Sequence, residues 1–177
     1  MTTPTETLRH EHVLILRALD VAEAAAATLE RGDDPGDAFW TGLVGWLRGF
    51  ADRNHHGKEE QALFPAMQKA GVPSEGGPIG VMLAEHVDGR AFIRAMELGG
   101  RQRAGAARGY VRLLRAHIEK ENEVLFRIAE AVLDDRTQTQ LAGRFEALAA
   151  ELGAEASYGH AETALDKLAA QLTTTAR

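Results

Sequence analysis

The chain has 177 residues, 45% of them hydrophobic and 26% charged, enough for one folded domain with a sizeable core, or a domain with a small appendage. It contains no cysteine, which excludes disulfides, thiolate zinc fingers, iron–sulfur clusters and cysteine nucleophiles. A net charge of −6 speaks against nonspecific nucleic-acid binding, and no apolar run approaches the ~20 residues of a bilayer span, so neither nucleic acid nor membrane is an expected partner.

Met1 to Arg9 holds no apolar stretch, which makes the cytoplasm the expected location. Strand signals are nearly absent, while Ala, Leu, Glu and Arg dominate. The first segment, about Thr5 to Arg31, carries Leu8, His12, Ile15, Leu19, Ala22 and Ala26 on one stripe. Gly32-Asp33-Asp34-Pro35-Gly36 ends it. A second helix is predicted from Asp37 to Ala70, with Gly71 as its C-terminal cap. Pro78 suits the start of a third helix, Ile79 to Leu98, and a fourth runs from about Gly105 to Leu133. The pattern predicts an all-α, antiparallel up-down-up-down four-helix bundle over residues 5–134. A helical extension over 135–177, with breaks at Gly153 and Gly159, packs on its outside. Arg90, Arg94, Arg101, Arg103, Arg108, Arg112 and Arg115 crowd one stretch, which reads as a solvated helical face.

Histidines and carboxylates interrupt the apolar stripes. At 100° per residue His12 lies on the buried stripe of the first helix and His10 nearly opposite, in solvent. His86 shares the inner face of the third helix with Met82, Ile93 and Met96. His117 and Glu121 sit in the stripe of Tyr110, Leu114, Val124 and Ile128. Burying such groups bare costs several kcal/mol, so they need partners.

In the second helix His55–Glu59 and His56–Glu60 both have i, i+4 spacing, and phase does not choose between them. An internal repeat does. Residues 55–64 align without gaps on 117–126 in the pattern H-x-x-K-E-x-x-x-L-F, pairing His55 with His117 and Glu59 with Glu121. His56 and Glu60 become neighbours of the site. Four histidines and two carboxylates on four helices suit a dinuclear metal site with bridging carboxylates, in which mixed nitrogen and oxygen donors favour iron or manganese over structural zinc. Tyr110 reads as core or as lining of the pocket. Arg90, one turn after His86, is placed to pair with Glu85 or Glu11 or to gate access. His160 lies opposite the stripe of Tyr158, Ala161, Leu165 and Leu172 and reads as a surface residue.

On Glu11-His12, His55 to Pro65, Glu85-His86 and His117 to Asn122, the chain resembles the hemerythrin-like (HHE cation-binding) family from about Leu8 to Leu133. The resemblance implies a bundle around a non-haem, oxo- or hydroxo-bridged pair of iron ions, with manganese or zinc expected less. It places His12 and His55 on one ion, His86 and His117 on the other, and Glu59 and Glu121 between them. His56, Glu60, Tyr110 and Arg90 are expected around the ligands. Met82 stands where oxygen-carrying hemerythrins have a fifth histidine, which points away from reversible oxygen carriage. The implied function is binding or reductive processing of oxygen, peroxide or nitric oxide, by a peroxidase-like, catalase-like or nitric-oxide-handling enzyme if it turns over. The alternative is a sensor or iron-handling module without turnover, and the reading leaves room for a homodimer.

Overall fold

The computed structural model describes residues 2–175, and among these there is no strand. Helix α1 spans Pro4–Glu30, and α2 is continuous over residues 37–69. Helix α3 is Pro78–Leu98, α4 covers residues 103–132, α5 is Asp135–Leu152 and α6 is Tyr158–Thr175. The first four form the expected all-α bundle, and α4 packs most extensively against α3 and α1. No helix among the described residues is long and apolar enough to cross a membrane.

Local chemistry sets the ends of the helices. Thr3 and Glu6 form a capping box at the start of α1. Helix α2 stops in a Schellman motif: Gly71, at φ 98°, and Val72 donate N–H bonds to the carbonyls of Gln68 and Met67, both at 3.0 Å. Only glycine enters that left-handed region without strain. The carboxylate of Asp134 accepts from the Thr137 N–H at 2.8 Å and so caps α5 where the bundle ends.

The stripe expected on α1 is buried throughout, from Leu8 to Ala26. The stripe on α4 needs one correction. Val124 is 49% exposed, and Leu125 takes the inward position. The cause is a change of helical pitch: Glu121–Leu125 is π-helical, and the wider i→i+5 turn moves each following residue back around the axis. Helix α2 carries the same device over Leu47–His56 and Glu59–Leu63.

The C-terminal extension covers the bundle with two helices. Leu141, Phe145 and Leu148 of α5 join a core cluster with Leu63, Phe64 and Phe126. Ala161, Leu165 and Leu168 of α6 join a second one with Trp40, Trp46 and Leu47, and the Trp46 indole N–H donates to the Ala161 carbonyl at 2.8 Å. Gly153 divides the two helices as expected; Gly159 falls inside the first turn of α6 instead of breaking it. Of the crowded arginines, Arg108 pairs with Glu30 and Arg115 with Asp20 and Glu23, all on α1.

Truncating Phe145 removes the main anchor of α5. Phe145→Ala is expected to cost about 3 kcal/mol of stability, read as a lower midpoint in denaturant with the metal-binding residues intact.

Candidate metal centre

The sequence places one histidine on each of α1 and α3, and a histidine–glutamate pair on each of α2 and α4. Folding brings all six to one point. His12, His55, His86 and His117 are each 1% exposed, and Glu59 and Glu121 are fully buried. The Nε2 atoms of His12 and His55 lie 3.0 Å apart, and those of His86 and His117 lie 3.2 Å apart. Two imidazoles at right angles on one ion, with metal–nitrogen bonds of about 2.1 Å, stand about 3 Å apart.

Each carboxylate faces both pairs. Glu59 turns one oxygen to His55 Nε2 at 3.6 Å and the other to His86 Nε2 at 3.4 Å. Glu121 turns one oxygen to His12 Nε2 and the other to His117 Nε2, both at 3.1 Å. Both Glu59 oxygens and one Glu121 oxygen are buried with no hydrogen-bond partner in the protein. An ionised carboxylate in that state is strongly unfavourable unless a cation neutralises it. The residues thus fit a pair of metal ions, and two overlapping groups could hold them: His12, His55, Glu59 and Glu121, and His56, Glu59, His86 and His117.

Behind the imidazoles lies an outer layer, of which the sequence reading named only Glu60 among the acceptors. His55 Nδ1 faces Glu11 at 2.9 Å, and His117 Nδ1 faces Glu85 at 2.9 Å. Lys58 binds Glu11, and Lys120 binds Glu85. His12 Nδ1 meets the Asn122 amide oxygen at 3.0 Å, while His86 Nδ1 meets Glu60 at 2.7 Å. Glu60 and Asn122 occupy the same place in the repeat, one residue after Glu59 and Glu121. So the repeat specifies the outer layer as well as the ligands. Its signals in the sequence were the Glu-His doublets at 11–12 and 85–86 and the lysine inside H-x-x-K-E. Such acceptors fix ring orientation and leave Nε2 free to bind.

The residues expected around the ligands fall into two classes. Glu60 and His56 belong to the centre. Arg90 does not pair with Glu85 or Glu11; it donates to Asp52 at 2.8 Å and to Glu60 at 2.7 Å. One turn of helix carries its side chain to the face where α3 meets α2, which is where those two acids stand. Tyr110 is buried, its hydroxyl lacks a partner, and burial pushes its ionisation upward. Met82 packs in the cluster with Phe64 and Leu63. His10 is exposed and stacks on Tyr158 at 4.1 Å, and His160 lies on the surface by Trp46 and Gly49.

The electrostatics of the metal-free centre are those of a cation site. Burial alone would raise the Glu11 carboxyl, but His55 and Lys58 bring it down to about 2. Burial likewise opposes the charge on His86, yet Glu59 and Glu60 hold it up at about 9. For His56 burial and the neighbouring His86 act together and push it well below its ordinary value, so the ring is neutral.

These shifts have a sign. A histidine raised from 6.5 to about 9 contributes stability that is complete below pH 6.5 and is lost as pH rises through 9. Glu11, lowered from 4.5 to about 2, contributes above pH 4.5 and loses its contribution as pH falls toward 2. Thermal melts of chelator-treated protein are therefore expected to weaken between pH 6.5 and 9. With a divalent cation present the trend reverses, because the imidazoles must release protons to bind it.

No curated protein and no solved structure matches the chain. Residues 3–129 match the hemerythrin HHE cation binding domain, a span that covers the first three bundle helices, all but the last turn of the fourth, and every residue of the centre. The chain belongs to the hemerythrin HHE cation-binding domain family.

Proposed function

We propose that the centre holds two iron ions and that the protein binds or reductively processes a small oxidant: oxygen, hydrogen peroxide or nitric oxide. His12 and His55 would hold one ion and His86 and His117 the other, with Glu59 and Glu121 placed to serve both. The observation that carries the reading is the pair of fully buried glutamates, each with one oxygen toward each pair of histidines. Imidazole and carboxylate donors without thiolate suit iron or manganese better than structural zinc.

Bound iron would supply electrons at one buried point, which is what reduction of a small oxidant requires. The chain's own residues do the rest. Glu11, Glu60, Glu85 and Asn122 hold the four rings in place through Nδ1. Lys58 and Lys120 pair with Glu11 and Glu85 and hold these acids against the rings. Leu8, Ile15, Leu63, Met82 and Phe126 close the surroundings to bulk water. A groove of about 1010 Å³ between α1 and α5, lined by Thr7, His10, Lys58 and Phe145, comes within one ion pair of the Glu11–His55 contact.

Metal analysis with an optical spectrum of air-exposed protein is expected to give about two irons per chain and a near-ultraviolet charge-transfer band. One zinc, or a featureless spectrum, would remove the redox reading. His117→Ala is expected to lose one ion, and His10→Ala none; equal loads would refute the ligand assignment. Glu11→Gln should weaken iron binding about 10–100-fold by freeing the His55 ring. For the enzymatic form of the proposal, the iron-loaded protein must turn over hydrogen peroxide faster than the same concentration of free iron.

A further inference from the structure

A cavity of about 340 Å³ opens between α2 and α6, outside the metal centre. That volume falls in the range of small-molecule sites, roughly 300–1,000 Å³. One of its walls is α6, which lies beyond the residues 3–129 that match the family. The floor is aromatic. Trp46 and Phe50 meet there with ring centroids 5.1 Å apart, and the one polar group of Trp46 is already engaged by the Ala161 carbonyl.

The α2 wall is bare backbone at Gly45 and Gly49, and helix packing does not require glycine at either place. A Cβ on Gly45 would meet nothing within 4 Å, and one on Gly49 only the Arg53 guanidinium at 3.9 Å. Gly42 differs, because a Cβ there would press on Leu168 at 3.0 Å. Glycine inside a helix is less stable than alanine, so Gly45 and Gly49 weaken α2 without gaining a contact inside the protein. What they keep is open space beside the aromatic floor.

The rim of the cavity is positive. No acid lines it, while Arg53, Lys167 and His160 do. The approach of Arg53 to Gly49 shows that its guanidinium folds back along α2 over the cavity. Neither Arg53 nor Lys167 has an ion pair among the described residues. The acids beside them in sequence are engaged elsewhere: Asp52 by Arg90, and Glu162 and Asp166 by Arg17. On a chain of net charge −6, two unpaired cations above an apolar floor make a local attraction for an anion.

We propose that this cavity is a second binding site, for a small anion with a flat apolar body, of the aromatic carboxylate class. The body lies on Trp46 and Phe50 against the backbone of Gly45 and Gly49, and Arg53 and Lys167 hold the carboxylate. The site stands independently of the metals and of what they process.

The test titrates the full-length protein with 1-naphthoate and, in parallel, with uncharged 1-naphthalenemethanol. Calorimetry reads affinity, and the Trp46 indole N–H signal in NMR reads location, with the Trp40 signal as internal control. Naphthoate is expected to saturate a single site and to shift Trp46 but not Trp40. The uncharged probe is expected to bind about tenfold more weakly or worse, and Arg53→Gln and Lys167→Gln to lose a similar factor for naphthoate alone. Gly49→Leu fills the cavity and is expected to abolish binding without lowering the thermal midpoint. Should that variant not fold, Ala164→Leu closes the same space from α6. Equal affinity for the two probes, unchanged binding in the filled variant, or a titration with neither heat nor a Trp46 shift overturns the proposal and leaves the diiron reading untouched.

Discussion

Everything in this bundle is arranged around two carboxylates that water cannot reach. Glu59 and Glu121 have no exposure, and three of their four oxygens have no hydrogen-bond partner in the protein. In the low dielectric of a core, such groups demand positive charge within a few ångströms. Four imidazoles converge on them in two pairs, and the 3.0 and 3.2 Å between Nε2 atoms within each pair, a hydrogen-bond distance, also equals the separation of two neighbouring donors on one ion. The apolar residues above and below, from Leu8 to Phe126, are what make the demand severe. A wetter bundle would have no need of a cation.

Holding four rings at such separations requires more than their own helices. Each ring is fixed from behind by an acceptor on a second helix or on its own helical pair, and two of those acceptors are in turn held by lysines. The cross-links run from α1 to α2, α1 to α4, α2 to α3 and α3 to α4, so they tie the helices together around the centre. Orientation of the ligands and cohesion of the bundle are thus the same set of contacts. The pitch of α2 and α4 belongs to this arrangement: both carry a π-helical segment that begins at the buried glutamate. The wider turn directs the glutamate and the following apolar residues inward at positions an α-helix would separate.

The departures from two-fold likeness gather on one side. Around His86 stand Glu60, Arg90, Asp52 and His56, where the corresponding place around His12 has the neutral Asn122. The charge and the extra ring are both on the α2–α3 side, away from the groove whose wall includes Lys58.

The sequence by itself determined the helices, their order and the six residues at the centre. Apolar residues recur at the helical period, glycines stand at the turns, and a ten-residue repeat picks out His55, Glu59, His117 and Glu121; these signals are local, so they survive without a fold. It also contained the outer layer, in the Glu-His doublets and the repeated lysine, but as letters without a partner: nothing in a single helix says that Glu11 will meet His55, or that Asn122 will meet His12. Pairing across helices belongs to the tertiary structure. So does phase. The expectation that Val124 faces inward, and the inability to choose between His55 and His56, both assume a constant 100° per residue. Three π-helical segments break that constancy, and they form because interhelical contacts at the centre outweigh the weaker backbone geometry they impose. Only the assembled bundle, therefore, decided that Leu125 is core, that Arg90 serves Asp52 and Glu60, and that His56 is buried with its ring stacked on His86.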